Sequence, residues 1–177
     1  MFTRNYKSFI EAHAKKGRGV TYPDTYTFYT DSNQSVSVAL TSQLTTQTNY
    51  SSNFLGGMLK SFNENEDTTN GGRYGVRFGS GTTAPTKNDY TIENPISYSS
   101  YEMNVPTALL TNDSADWFEY SASYVIVANT DITISEIGLY AAVRYSQTFP
   151  SVLIDRTLLD APVTLAAGES TTRESSV

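Results

Sequence analysis

The 177-residue sequence has no cysteine and only one histidine. Without cysteine the chain can form no disulfide, no thiolate nucleophile and no cysteine-ligated zinc or iron–sulfur site. No stretch approaches the roughly 18 consecutive apolar residues of a membrane-spanning helix, and the first residues are not followed by an apolar signal-peptide core. We therefore expect a protein that does not insert into membranes.

Charged residues are few and unevenly placed. The net charge is −6, but residues 1–19 carry five basic residues and one acidic residue, a local charge of +4 that leaves −10 for the remainder. An acidic body argues against nucleic acid as the main partner, because phosphate binding needs a clustered basic surface. The basic residues could dock on an acidic protein neighbour or form the solvated face of a helix, and they are Arg4, Lys7, Lys15, Lys16 and Arg18.

The composition favours β-structure. Thirteen tyrosines, eight phenylalanines and many threonines and serines suit pleated, half-buried surfaces. Alternating apolar and polar residues, clearest in 117–128, predict short strands within 20–30, 36–40, 74–79, 117–128, 132–135, 137–143, 152–159 and 163–165.

Helical spacing is confined to the N-terminus, where Tyr6, Phe9, Ile10 and His13 predict one short helix within residues 3–16. Many short strands without alternating helices favour an antiparallel β-sandwich, with a jelly roll among the arrangements allowed. We expect a basic N-terminal arm, residues 1–19, and a single sandwich domain, residues 20–177.

No catalytic, cofactor or metal site is predicted. Gly79-Ser80-Gly81 is not followed by the Gly-Lys-Ser/Thr of a phosphate loop, so turn geometry explains its glycines better. The acidic stretch 63–72 lacks the spacing of a calcium loop and is read as a solvated loop. His13 lies on the apolar face of the predicted helix, where packing explains it better than catalysis.

Glu136 is unusual because it interrupts an apolar strand. A buried carboxylate there would need a partner, and our hypothesis is a structural pair with Arg156 or Arg144. The alternative is an edge strand on which Glu136 faces water. Gly138, two residues later, predicts a β-bulge or a close backbone approach.

Aromatic residues could also form a platform for sugar rings. The candidates are Trp117, Tyr98 and Tyr101, although aromatic side chains of the core or of an interface explain them better.

Three further stretches, taken together, resemble a pattern of structural proteins of tailed bacteriophages. Residues 78–90, FGSGTTAPTKNDY, are similar to the Gly-x-Gly-Thr-Thr-Ala-Pro turn and following Asp-Tyr of that family. Residues 132–140, ITISEIGLY, resemble its Ile-x-Glu-[Ile/Val]-Gly-Leu strand, and residues 153–169, LIDRTLLDAPVTLAAGE, its closing segment. They fall within residues 74–170 in the family's order and spacing.

The resemblance implies a non-enzymatic virion subunit, made in the host cytoplasm, that assembles with other virion proteins and with its own copies. A tail, baseplate or fibre-attachment position is implied more than a capsid-decorating one, and a carbohydrate-binding module is the rival. The family pattern usually ends in a further Thr-Val-x-Tyr-x-Ile strand. This chain ends TTRESSV, so we expect that strand to be missing, altered or supplied by a neighbour, and an unpaired edge there to accept or donate a strand.

Overall fold

The computed structural model describes residues 1–8, 11, 25–39, 75–111, 119–142 and 151–176. Residues 4–8 are helical, and a 3-10 turn spans Tyr98–Ser100. The strands are β1 (Thr25–Tyr29), β2 (Ser35–Ala39), β3 (Gly75–Gly79), β4 (Tyr101–Thr111), β5 (Glu119–Ala128), β6 (Ile132–Ala142), β7 (Ser151–Leu165) and β8 (Ser170–Ser176).

These strands form the predicted antiparallel β-sandwich. One sheet, called here the β6 sheet, has the order β3-β6-β7; the second, the β5 sheet, has the order β4-β5-β8; and β1 and β2 form a hairpin. One apolar core contains buried residues of both sheets and of the hairpin, including Phe28, Phe78, Ile126 and Leu139. Full burial of each such side chain contributes about 1.5–3 kcal/mol to folding.

An irregular bulge between β6 and β7, which leaves Ser135 of β6 and residues 159–162 of β7 outside the ladder, decides which side chains face the core. The register with β7 shifts between Ile134 and Glu136, so Ile134 before the shift and Leu139 after it both enter the same core. The strand is therefore continuous, whereas the broken alternation had predicted two separate strands. Because the bulge inverts the alternation, Glu136 and Tyr140 lie on the opposite face of the sheet.

That opposite face is covered by residues 80–96, which we call the covering loop. Ile92 of this loop forms a small buried cluster with Tyr140 of β6 and Leu153 of β7. Gly138 lies beneath it, where a Cβ atom would come 2.5 Å from Ile92 Cγ2. The close approach predicted at Gly138 is thus the contact between its backbone and the side chain of Ile92.

Two strands were not predicted from the apolar pattern. β4 was not predicted; it contains Pro106, which lies at a register shift between Asn104 and Thr107, where its missing N–H removes no ladder bond. β8 was expected to be missing, altered or supplied by a neighbour; of these alternatives the structure agrees with an altered strand, which pairs antiparallel with β5. Its sequence STTRESS has no apolar alternation, so its pairing was not visible in the hydrophobic pattern.

The described part of the N-terminal segment is docked on the sandwich. Thr3 and Asn5 are 4% and 1% exposed, and Phe2 forms an antiparallel bridge with Asp155 of β7. The segment is held there by the polar side chains of Thr3 and Asn5 and by the ion pair of the Met1 ammonium with Asp155, at 3.0 Å.

Candidate functional site

Arg156 of β7 gathers three carboxylates, and these four residues are called here the Arg156 cluster. Its Nε donates to Glu136 Oε2 at 2.7 Å, its Nη1 to Asp89 Oδ2 at 2.8 Å and its Nη2 to Glu93 Oε2 at 3.3 Å. Glu136 comes from β6, whereas Asp89 and Glu93 come from the covering loop. One guanidinium therefore ties the loop to two strands.

A second bulge turns Arg156 toward Glu136. The register between β6 and β7 shifts again after the pair Leu139–Asp155, so Ile154 is an additional residue in β7. Ile154 packs in the main core, and Arg156 contacts the covering loop on the other face. Glu136 and Arg156 thus each point to this face because of an irregularity in their own strand.

Backbone amides complete the environment of Glu136. Its side chain is 0% exposed, and its carboxylate accepts hydrogen bonds from the N–H groups of Gly81 (3.0 Å), Asn94 (2.9 Å) and Glu93 (3.1 Å). A Cβ atom at Gly79 or Gly81 would lie within 3.0 Å of Glu136 Oε1. The Gly-x-Gly turn therefore admits an internal carboxylate, not a phosphate.

Glu93 is held by the threonines of the same loop. It accepts bonds from the amides of Thr82 (3.0 Å) and Thr83 (2.9 Å) and from Thr83 Oγ1 (2.8 Å). The two bonds from Thr83, aided by the one from Thr82 and by the charge of Arg156, hold the pKa of Glu93 below its ordinary value. The Thr-Thr pair of the motif is thereby fixed to the cluster.

Asp89 is bonded to the same turn and to Arg156. The amide and hydroxyl of Thr86 donate to its two carboxylate oxygens at 3.0 and 2.7 Å. Partial burial acts to raise the pKa of Asp89, but the bonds from Thr86 and Arg156 outweigh it and the pKa is lowered. Asp89 is therefore ionised at neutral pH.

A second fixation point of the covering loop lies at Tyr140. The amide of Ile92 donates to Tyr140 Oη at 2.9 Å, and Thr91 Oγ1 lies 3.1 Å from the same oxygen. The guanidinium of Arg77 stacks 3.9 Å from the ring centroid and reaches Asp31 at 2.9 Å. Burial raises the pKa of the Tyr140 hydroxyl, so it stays neutral at physiological pH.

The structure brings together one predicted pair. Glu136 and Arg156 are in direct contact, whereas Arg144 lies outside the described residues. Glu136 does not face water from an edge strand, because it is fully buried on the central strand of its sheet.

Of the other two predicted groups, the structure describes the side chains of Arg4, Lys7 and Tyr101. Arg4 lies with its guanidinium 3.3 Å from the Tyr29 ring centroid, and Lys7 is exposed beside Glu11. Tyr101 is 4% exposed and packs edge-on against Phe78, so it cannot contact a sugar. Lys15, Lys16, Arg18, Trp117 and the side chain of Tyr98 lie outside what the structure describes.

Sequence reasoning missed Asp89 and Glu93 as members of the cluster. The Thr86-x-x-Asp89 spacing was an available signal, since a hydroxyl and a carboxylate three residues apart often bond across a turn. No residue close to Glu93 in the sequence marks it as a member of the cluster, because its contacts form only when the loop folds.

Three of the four outer strands of the two sheets carry features that discourage strand addition. β4 contains Pro106 at its bulge, β7 has Asp160 and Pro162 in its second half, and β8 has the sequence STTRESS with two charged residues. Proline, charge and bulges are the usual means of blunting an edge. This argues against the open C-terminal edge as the site of strand addition.

Comparison with known proteins gave no match to this chain among protein-family models, curated proteins or solved structures. Among the described residues, no helix has the length and apolar character needed to cross a membrane. The phage resemblance thus rests on its motifs.

Proposed function

We propose that the chain is a non-enzymatic structural subunit of a tailed-bacteriophage virion, in a tail, baseplate or fibre-attachment position. It acts through contacts with other virion proteins and with copies of itself. On this proposal the sandwich is a rigid building unit, and its contribution is interface area, with no chemical turnover.

The observation that carries the proposal is the meeting of the three phage-like stretches in one cluster. Residues 78–90 provide Asp89 and the two glycines, residues 132–140 provide Glu136, and residues 153–169 provide Arg156. Similarities that arise by chance in three separate stretches would have no reason to converge on one guanidinium. Their convergence supports reading them as a single structural signature.

The chemistry of the cluster also suits a structural role. Each of the three carboxylates is engaged by Arg156 and by backbone amides, and the side chain of Glu136 has no access to solvent. Hydrogen bonds of this kind fix the backbone of the covering loop, which would give a repeated subunit one defined surface.

Immunogold electron microscopy on particles from the source tests the proposal. Antibody raised against the purified chain should label the tail or baseplate, and labelling should disappear when the antibody is pre-adsorbed with the same protein. Label over the head would instead indicate a capsid-decorating protein. Particles without specific label would contradict a virion role, and a glycan array comparing the natural chain with Trp117→Ala would then test the sugar-binding alternative.

A further inference from the structure

The first half of β7 presents a built receptor for a short peptide segment. On its outer edge the amide of Thr3 donates to the Ile154 carbonyl at 2.9 Å, and the amide of Arg156 donates to the Met1 carbonyl at 3.1 Å. These two bonds flank the Phe2–Asp155 bridge in the manner of an antiparallel ladder. Residues 1–3 therefore act as a short added strand.

Two buried polar side chains anchor the segment. Thr3 Oγ1 donates to the Leu153 carbonyl at 2.5 Å, and Asn5 Nδ2 donates to the same carbonyl at 3.0 Å. Asn5 also pairs with the backbone of Tyr29 through two bonds of 2.8 Å, one to its N–H and one to its carbonyl. The carboxamide of Asn5 thus bridges β1 and β7 through hydrogen bonds of the kind that a backbone peptide group makes.

All of these receptor groups lie in β7 and β1, and the segment reaches them through a long connection. Residues 9–24 join it to β1, and 16 residues can span at most about 53 Å when extended. Every bond just described can therefore form equally well with the segment of an adjacent copy. Exchange of this kind creates no new contact and loses none.

We propose that residues 1–8 exchange between neighbouring subunits, so that the β7 edge of one copy holds the N-terminal segment of the next. The proposal rests on the proposed function, for which it names the contact that joins the subunits. The charge of +4 in residues 1–19, against −10 in the remainder, favours the approach of one copy's segment to another copy's body.

Concentration decides between closure within one chain and exchange. The covalent connection holds each segment close to its own body, at an effective concentration of order millimolar. Dilute protein therefore closes on itself, whereas neighbours fixed side by side in an assembly compete on equal terms. Exchange is consequently a property of the assembled or concentrated protein.

Disulfide trapping between two different single variants tests exchange directly. Phe2 and Asp155 form a non-hydrogen-bonded antiparallel pair, for which Cα atoms lie about 4.5 Å apart, within the range of a disulfide. The chain has no other cysteine. We expect an equimolar mixture of Phe2→Cys and Asp155→Cys, oxidised at about 1 mM, to give about tenfold more covalent dimer than either variant alone.

Two controls make the outcome decisive. The double variant Phe2→Cys/Asp155→Cys should close within one chain at micromolar concentration. A mixture of Thr30→Cys and Val152→Cys, which form a bridge on the same edge but within the sandwich body, should give no mixed dimer. Absence of the Phe2–Asp155 mixed dimer overturns exchange. Light scattering on unoxidised protein measures association separately, so oligomers without that dimer would leave the assembly proposal standing.

Discussion

Arg156 Nε and Glu136 Oε2 lie 2.7 Å apart across two neighbouring strands, and neither side chain is more than 4% exposed. Burial of two charges costs free energy that their mutual attraction alone does not always offset. Here the three amides on Glu136 and the two further carboxylates on Arg156 satisfy the remaining hydrogen-bonding groups. The pair is therefore tolerated because the covering loop closes over it.

The first prediction concerns this pair. Glu136→Gln and Arg156→Met should each lower the free energy of unfolding by about 3–5 kcal/mol, because each leaves an uncompensated buried group. The double variant should lose less than the sum of the two, by up to about 3 kcal/mol. Urea denaturation followed by circular dichroism measures all four proteins.

Asp160→Asn, an exposed change in the same strand, is the matched control and should unfold like the natural chain. Additive losses in the double variant, or a Glu136→Gln protein as stable as the natural one, would refute the pairing as a determinant of stability.

The second prediction concerns the contact between Ile92 and Gly138. Gly138→Ala should destabilise by about 1–3 kcal/mol through overpacking, because its new methyl group meets Ile92 Cγ2. Ile92→Ala alone should cost about 2–5 kcal/mol through the cavity it leaves. In the double variant the new methyl occupies part of that cavity, so its loss should fall short of the sum.

Gly168 provides the comparison for this experiment. Its φ is +86° and no atom lies within 4 Å of a Cβ placed there. Gly168→Ala should therefore cost about 1–2 kcal/mol by backbone strain alone, and Ile92→Ala should not change that cost. If Ile92→Ala changed the cost of Gly168→Ala as much as the cost of Gly138→Ala, the steric explanation would be wrong.

How far the sequence predicts this fold depends on whether a residue's role is local. The alternation in residues 119–128 and the buried carboxylate at Glu136 could be recognised, because strand periodicity and an interrupted apolar run are visible along the chain. The continuity of β6 could not, since the bulge before Glu136 breaks the very pattern that defines a strand. Asp89 and Glu93 join the cluster only after the covering loop has folded back over the sheet.

The third prediction concerns acid. Because the folded-state pKa of Asp89 is lowered, its contribution to stability is complete above the unfolded-state pKa and is lost as the pH falls through the folded-state pKa. The free energy of unfolding of the natural chain should therefore decline below about pH 5. Asp89→Asn should be less stable at pH 7, and the difference between the two proteins should shrink by pH 3.

Glu93→Gln should show the same convergence, because its pKa is shifted in the same direction. Urea unfolding at pH 7, 5, 4 and 3 measures both differences. A difference that stays constant across this range would mean that the carboxylate charges do not stabilise the covering loop.

The fourth prediction concerns Asn5, which is 1% exposed and joins the backbone of β1 to that of β7. Asn5→Ala should leave the N–H and carbonyl of Tyr29 without their side-chain partner, whereas the carbonyl of Leu153 keeps the bond from Thr3 Oγ1. Each buried group left without a bond costs about 1–3 kcal/mol, so this one substitution should destabilise as strongly as loss of a core side chain.

Ser8→Ala is the matched control in the same segment, because Ser8 donates only an exposed bond to the Thr27 carbonyl at 3.0 Å and should be replaced with little loss. The same geometry implies that deletion of residues 1–8 would destabilise the sandwich itself, not only its assembly. Thermal unfolding of the three proteins measures these effects. If the truncated protein keeps the melting temperature of the natural chain, the N-terminal segment does not stabilise the sandwich. If its melting temperature falls by as much as that of Asn5→Ala, the carboxamide of Asn5 accounts for most of the segment's contribution to stability.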